Sequence, residues 1–353
     1  MGESLIIGID IGRFHLKAIV LSASSKRYIL KSYQQIITST ALFSETNLFN
    51  HQEIVKKLQI LKQKLPIFPS NVAVFIPDNE VFHSVINIDS KLIAAEIQFA
   101  VEQALSIEFT IPIQDLNIDF VKIDGKNGIN SSTIEMAVYA TSREGVEIRI
   151  NALHQAGFKP VFISSEGQSL SALLYLIEKR ATAERLSEAE PNRLNEAKKI
   201  RHGLLLIEEK STTMCCLNQD HFTHIKSLPF GLSAMKVLGD EQFFEQLSQG
   251  LSCELESMLI SGQVFDEFKF WLNAEADDSV YPCFQIVQRF NNERKSNKPR
   301  QKNQFETLII EIEWLKLADL IDSEKDVTEL NGYAKAIGIA VGYDIWKKGQ
   351  CDA

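Results

Sequence analysis

The residues best placed to do chemistry come early. Asp10, Gly12, Arg13, Phe14, His15 and Lys17 sit where one apolar run, Leu5 to Ile11, ends and a second, Ala18 to Leu21, begins. Apolar run, tight turn, apolar run is the pattern of a strand, a bend and a returning strand. Gly12 lets a backbone approach closely, and such a bend can wrap N–H groups around an anion. Asp10 would stand at its mouth, able to hold through water a metal ion carried by a phosphate. Arg13 could pair the phosphate itself. The same residues also read as an ordinary β-hairpin with an acidic bend, Lys17 being an outward, solvated residue. The pattern recurs later: Gly203 to Ile207 is apolar, Glu208-Glu209-Lys210-Ser211-Thr212-Thr213 is polar, and Met214 to Leu217 is apolar again. Ser211, Thr212 and Thr213 add hydroxyls to the candidate set, and an anion could sit between the two turns.

Other reactive residue types form no comparable constellation. His15, His202, His221 and His224 show no metal-ligand spacing with a cysteine or carboxylate and read as structural or surface residues. The five cysteines include no CxxC pair and are odd in number, as expected of reduced thiols. Cys215 and Cys216 lie in an apolar strand pattern and are expected to pack. A basic run from Arg289 to Lys302 could touch acidic lipid or a partner, and reads equally as a solvated face and loop.

Elements that would position the two turns can be read from periodicity. After the opening hairpin, Lys26 to Thr38 reads as a third strand, and His51 to Leu65 places Ile54, Leu58, Leu61 and Leu65 on one helical face before Pro66. Asn71 to Asp89 gives two short strands around Pro77, and Lys91 to Leu105 an amphipathic helix through Ile93, Ile97, Ala100 or Val101, and Ala104. Leu116 to Ile123 and Thr133 to Thr141 are strands around the loop Asp124 to Gly128, and the helix Glu144 to Ala156 stops at Gly157 and Pro160. The charged stretch Glu178 to Arg201, with Pro191 inside, reads as a solvated helix end and a linker. Phe222 to Leu228 is a third strand after the second turn. Phe243, Phe244, Leu247, Leu251, Leu255 and Met258 follow helical spacing as core, and Gly338 and Gly342 mark a small-residue helix face that another backbone can approach. Strand, polar turn, strand, strand and helix thus occur in both halves, which predicts a duplicated α/β architecture.

Composition sets the frame. A chain of 353 residues, 45% apolar and 24% charged, is ordinary globular material with room for two domains. A net charge of −9 and a pI near 5.4 argue against nucleic-acid binding, which calls for a basic field. Apolar runs are strand-sized, and Glu3 and Asp10 stand where a signal peptide needs positive charge and then an unbroken apolar run. The expectation is a cytoplasmic chain whose membrane association comes through a partner.

Order and spacing of several segments resemble the PilM family, cytoplasmic actin-like proteins of type IV pilus assembly. The resemblance rests on IGIDIG with LKAI (Ile7 to Ile19), IPIQDLNIDF (Ile111 to Phe120), MAVYATSRE (Met136 to Glu144), ALHQAGFKPVFISSEGQSL (Ala152 to Leu170), SLPFG (Ser227 to Gly231) and YAKAIGIAVG (Tyr333 to Gly342). It implies an actin-like ATPase fold, duplicated α/β domains around a cleft with an inserted small subdomain. It places the first domain at 1–190 with the insert at about 77–165, the second at 191–332, and a C-terminal helix at 333–353 returning to the first. It further implies a cytoplasmic scaffold of pilus biogenesis, and so of twitching motility, at the inner face of the inner membrane. The implied partners are the N-terminal cytoplasmic peptide of the inner-membrane protein PilN, bound in a groove involving the insert, and other pilus assembly proteins.

Departures from the family pattern bear on the cleft. Larger residues, Arg13-Phe14-His15, follow Gly12 where the family has small hydroxyl residues. Glu208-Glu209-Lys210 replaces Asp-Ile-Gly, so the glycine is lost and two carboxylates lie where an anion would approach. The strand Phe305 to Trp314 offers Glu311, Ile312 and Glu313 in place of the Gly-Gly that holds adenosine. ATP and magnesium are therefore expected to bind weakly or not at all, and hydrolysis to be negligible. Should they bind, Asp10, Gly12, Arg13, Phe14, His15, Lys17, Ser211, Thr212 and Thr213 would hold the nucleotide, with Asp10 on the metal through water. The alternatives are a weak actin-like ATPase with an intact cleft, or an FtsA-like division scaffold. The latter would carry a longer linker and an amphipathic membrane helix where this sequence ends at Ala353, soon after Trp346-Lys347-Lys348.

Overall fold

The computed structural model describes residues 4–24, 27–44, 49–66, 71–108, 112–123, 132–188, 200–217, 223–260, 267–274, 309–323 and 330–351. Three strands, β1 (Ser4–Ile11), β2 (His15–Ala23) and β3 (Tyr28–Ile37), lead into α1 (His51–Lys64). The Asn50 side chain caps α1 by accepting the Glu53 N–H at 3.4 Å, and the helix buries Ile54, Leu58 and Leu61, the face its spacing predicts. There follow β4 (Asn71–Ile76), β5 (Val81–Asp89), α2 (Ala94–Glu108), β6 (Leu116–Lys122), β7 (Thr133–Ser142), α3 (Arg143–Gln155), β8 (Lys159–Ser165) and α4 (Glu166–Glu188). The remaining elements are β9 (Ile200–Ile207), β10 (Thr212–Leu217), β11 (Thr223–Leu228), α5 (Leu232–Ile260), β12 (Glu267–Ala274), β13 (Ile309–Trp314), α6 (Leu317–Leu320), β14 (Asp322–Ser323) and α7 (Ala334–Cys351).

Three sheets result, in the orders β14-β3-β2-β1-β4-β8, β11-β10-β9-β12-β13 and β5-β7-β6. The first two share a motif: three consecutive strands side by side, then a fourth beside the first of them. In the second sheet β10 is antiparallel to both β9 and β11, whereas β12 runs parallel to β9 and β13. Two compact units divide the chain, one of residues 1–8, 19–33 and 167–353, the other of 9–18 and 34–166. These bounds pass through β1, β2 and β3.

In the larger unit β9 is apolar from Gly203 to Ile207 because both faces of that stretch are covered. Leu205 and Ile207 join Phe268, Phe270 and the α5 residues Phe243, Leu247, Leu251, Leu255 and Met258 in one core. Leu204 and Leu206 face the other way, toward a core that takes in Ile6 and Ile19, Leu170 and Leu173 of α4, and Ile337 and Ala340 of α7. Cys216 belongs to the first of these cores and Cys215 to the second, the alternation of a strand. Small residues let α7 into the second core: a Cβ on Gly338 would run into the Ser169 carbonyl, and one on Gly8 into the Ala336 carbonyl.

In the smaller unit α2 covers one face of the three-stranded sheet. Ile88, Val101, Leu105, Leu116, Met136 and Val138 are buried there. Helix α2 starts later than its periodicity suggests. Ile93 stays outside it, with its N–H donating to the Glu96 carboxylate at 2.9 Å and its side chain exposed. The charged stretch after Glu178 opens as the end of α4, and β9 begins at Ile200. The loop Asp124 to Gly128, the linker through Pro191, His221 and the basic run Arg289 to Lys302 lie outside the described residues.

Candidate functional site

The first turn belongs to the smaller unit. Gly12 N–H donates to the His15 carbonyl at 2.9 Å, closing the hairpin across Arg13 and Phe14. The carbonyls of those two tip residues are taken as well: Leu42 N–H donates to Arg13 at 2.8 Å and Thr38 N–H to Phe14 at 3.0 Å. His15 folds its ring over Gly12, so that a Cβ there would strike the imidazole. Its Nε2 stands 3.5 Å from Asp10 Oδ2. Asp10 is buried at 3% exposure, and Lys17 at 4% is buried too, so Lys17 is not the solvated outward residue of the plain-hairpin reading. Phe14 is exposed, with the Arg13 guanidinium 5.4 Å from its ring centroid. The space beside Gly12 that an anion would use for close approach is filled by the chain's own imidazole.

The second turn belongs to the larger unit and carries its own anions. Glu208 N–H donates to the Ser211 carbonyl at 2.9 Å, and the Ser211 hydroxyl donates to Glu208 Oε2 at 3.4 Å. Lys335, in the first turn of α7, bonds Glu208 Oε1. Glu209 accepts the Ser233 hydroxyl at 2.6 Å, with Lys236 Nζ 3.9 Å away. The leading N–H groups of α5 are used up here: Leu232 donates to the Glu208 carbonyl and Ser233 to the Glu209 carbonyl, each at 2.8 Å. Gly231 makes this docking possible, because a Cβ there would overlap the turn backbone. Thr212, fully buried, donates its hydroxyl to the Phe230 carbonyl at 2.8 Å, and Thr213 is buried beside it in sequence. The SLPFG segment therefore serves as the seat of the turn.

The strand Phe305 to Trp314, expected to border adenosine, is described only in part. Of that segment residues 309–314 form β13, the outer strand of its sheet, and the strand beside β9 is β12. Asn273 and Ala274 at the end of β12 pair in register with Leu206 and Ile207, just before the second turn. Asn273, fully buried, donates to the Leu315 carbonyl at 3.1 Å and accepts the Gly332 N–H at 3.5 Å. The sequence reading missed β12, although its apolar alternation, Phe268, Phe270 and Leu272, could have disclosed it.

The three-stranded sheet, centred on β7, leaves β5 and β6 as its outer strands. Val85 and Val121 pair with Ala137 from either side, and both are exposed on the face opposite α2. His83 and Asp119 pair likewise with Tyr139. Partial burial of its ring lowers the pKa of His83, disfavouring its charged form. Among the described residues no group of three or more histidine, cysteine, aspartate or glutamate side chains could hold a metal ion. His202 accepts the Trp271 indole N–H at 3.1 Å, and His224 faces Glu254 at 3.5 Å, so both have structural roles. No helix of the described residues is long and apolar enough to cross a membrane.

Two sheets with the same strand motif and a three-stranded insert define an actin-like ATPase fold. A solved structure described as a PilM-PilN type IV pilus biogenesis complex is similar over 98% of this chain and 99% of that one, with a TM-score of 0.68 at 16% identity. The ethanolamine utilization protein EutJ from Carboxydothermus hydrogenoformans is similar over 97% of this chain and 90% of its own, with a TM-score of 0.46 and 8% identity. The cytoplasmic domain of EpsL, an inner-membrane component of the Vibrio cholerae type II secretion system, is similar over 78% and 84%, with a TM-score of 0.43 and 9% identity. The family model of type IV pilus assembly protein PilM matches residues 8–231. The chain belongs to the PilM family.

Proposed function

We propose that this chain is a scaffold of type IV pilus biogenesis that binds the N-terminal cytoplasmic segment of PilN, and that it does so without nucleotide turnover. Family membership over residues 8–231 carries the reading, and the fold match to the PilM-PilN complex supports it. The chain would then work at the inner face of the inner membrane, held there by its partner. A short extended peptide docks on an exposed sheet edge through main-chain hydrogen bonds and alternate side-chain pockets. The outer strands β5 and β6, with Val85 and Val121 exposed beside them, are the candidate seat.

The nucleotide part of the proposal rests on the two turns. A triphosphate arriving at the second would meet Glu208 and Glu209 where it needs donors, with the Lys335 and Lys236 charges already directed to those carboxylates. At the first it would have to displace the His15 ring from Gly12. Neither turn fits the group as it stands, so no step is assigned to ATP or to a metal.

Fluorescence anisotropy with a labelled peptide from the PilN N-terminus tests the seat. Wild type should bind at roughly micromolar affinity, about −8 kcal/mol. Val74 to Ile76 are core, so charges there would unfold the sheet, whereas Val121→Glu and His83→Glu probe exposed positions. A peptide seated on the β6 edge should be weakened about tenfold or more by Val121→Glu, and one on the β5 edge by His83→Glu, through an unpaired charge at that edge. Equal binding by wild type and both variants would move the seat elsewhere.

A further inference from the structure

Arg149 of α3 is buried, at 4% exposure, yet it has no part in either turn or in the proposed seat. Its Nη2 lies 2.6 Å from Glu80 Oε1, and its Nη1 donates to the Gly145 carbonyl at 2.9 Å. Its guanidinium carbon stands 5.7 Å from the ring centroids of Phe43 and Phe49. A planar guanidinium can satisfy all of these at once, donating in its plane and offering its charge to aromatic faces. Lysine has the charge without the fork.

The partners of Arg149 lead to two different places. Glu80 directly precedes β5, and its carbonyl accepts the Thr141 hydroxyl near the end of β7 at 2.9 Å. It therefore marks the stem through which the chain enters and leaves the three-stranded sheet. Phe43 and Phe49 form an antiparallel bridge in the segment between β3 and α1, their rings edge to face at 5.5 Å. The neighbouring Leu42, with Thr38, supplies the N–H groups that hold the Arg13 and Phe14 carbonyls at the tip of the first turn. One side chain thus grips the stem of the insert with its fork and the support of the first turn with its flanks.

We propose that Arg149 is the positioning residue that couples the first turn, Asp10 to His15, to the stem of the three-stranded sheet. A ligand that shifts the stem is then felt at the turn, and a change at the turn is felt at the stem, since such coupling is reciprocal. Packed rings joined to an ion pair are the kind of contiguous contact that carries it. The ligand side of this statement rests on the peptide reading above; the link between turn and stem does not.

Amide hydrogen exchange on the full chain tests it. Thr38 and Leu42 report on the support of the turn, and Glu80, whose N–H donates to the Pro77 carbonyl at 2.9 Å, reports on the stem together with β5. In R149K exchange should accelerate about tenfold at both sets, with β9 and β12 unchanged, as for opening of one local unit. E80Q should act alike, and R149K/E80Q should add nothing to either single variant. Acceleration confined to one set, or additive effects, would overturn the proposal. With PilN peptide shown by anisotropy to be bound, protection at Thr38 and Leu42 should rise in wild type and not in R149K; an equal rise in both would also overturn it. A wild-type chain that binds no peptide would sink the scaffold reading alone, because the peptide-free arm still decides the coupling.

Discussion

Glu208 and Glu209 are adjacent carboxylates on a tight turn, an arrangement that costs free energy unless each charge is compensated. Lys335 and the Ser211 hydroxyl serve the first, Ser233 and Lys236 the second. The Glu208 and Lys335 side chains are only 18% and 12% exposed, so removing one partner strands a poorly solvated charge. Lys335→Met should destabilise the chain by about 2 kcal/mol, less than the roughly 3–5 kcal/mol of a fully buried broken pair. Glu208→Gln in that background should recover most of the loss. Urea unfolding of the two single variants and the double checks this, and additive losses would speak against the pairing. A second residue-scale expectation concerns Tyr28. Burial first, then the Asp344 charge and the hydrogen bond that Tyr28 donates to Asp344 Oδ2 at 2.8 Å, hold its phenol far above the usual value of about 10. The folded state keeps a proton that the unfolded chain releases, so the stabilisation is whole below about pH 10 and is lost as pH rises beyond it. Tyr28→Phe should therefore lose less stability than wild type between about pH 9 and pH 11. Parallel pH dependences in urea titrations would contradict that assignment.

At the scale of elements, α7 depends on close approach. Gly338→Ala would press a methyl into the Ser169 carbonyl and should cost about 1–3 kcal/mol as overpacking. Gly349 on the same helix has nothing near its missing Cβ, so Gly349→Ala should be neutral or slightly stabilising. Thermal unfolding of both variants separates packing from helix propensity, and equal midpoints would remove the close-approach account. The same comparison explains what the sequence disclosed. Periodicity was enough for α1 and for the Phe243 to Met258 part of α5, whose apolar positions repeat over several turns, and for Gly203 to Ile207 of β9, a continuous apolar run that follows from burial on both faces. It failed for Ile93, because the capping contact from Glu96 fixes where α2 starts and apolar spacing does not record it. A run such as Ile309 to Trp314 shows strand character without showing that its neighbour is β12. The turn residues were found, His15 among them, while contacts made across long stretches of chain were not. Lys335 lies 127 positions from Glu208 and Arg149 lies 69 from Glu80, so only the fold brings them together.

The whole molecule joins an actin-like architecture to two turns whose polar groups bond within the chain. The same strand motif occurs in two sheets and the three-stranded sheet stands beside them in the chain order, while at both turns the described carbonyls, carboxylates and leading N–H groups are engaged within the chain. ATP with magnesium should accordingly show no micromolar binding by calorimetry, and micromolar affinity abolished by Asp10→Ala would restore the ATPase reading. The scaffold claim makes a sharper demand, that the partner site be formed without nucleotide. Its most direct test is a titration of labelled PilN N-terminal peptide with the purified chain, followed by anisotropy, once in the absence of nucleotide and once with saturating ATP and magnesium. Binding at roughly micromolar affinity is expected, the same within error in both titrations. No binding at high protein concentration, or binding only when ATP is present, would contradict it.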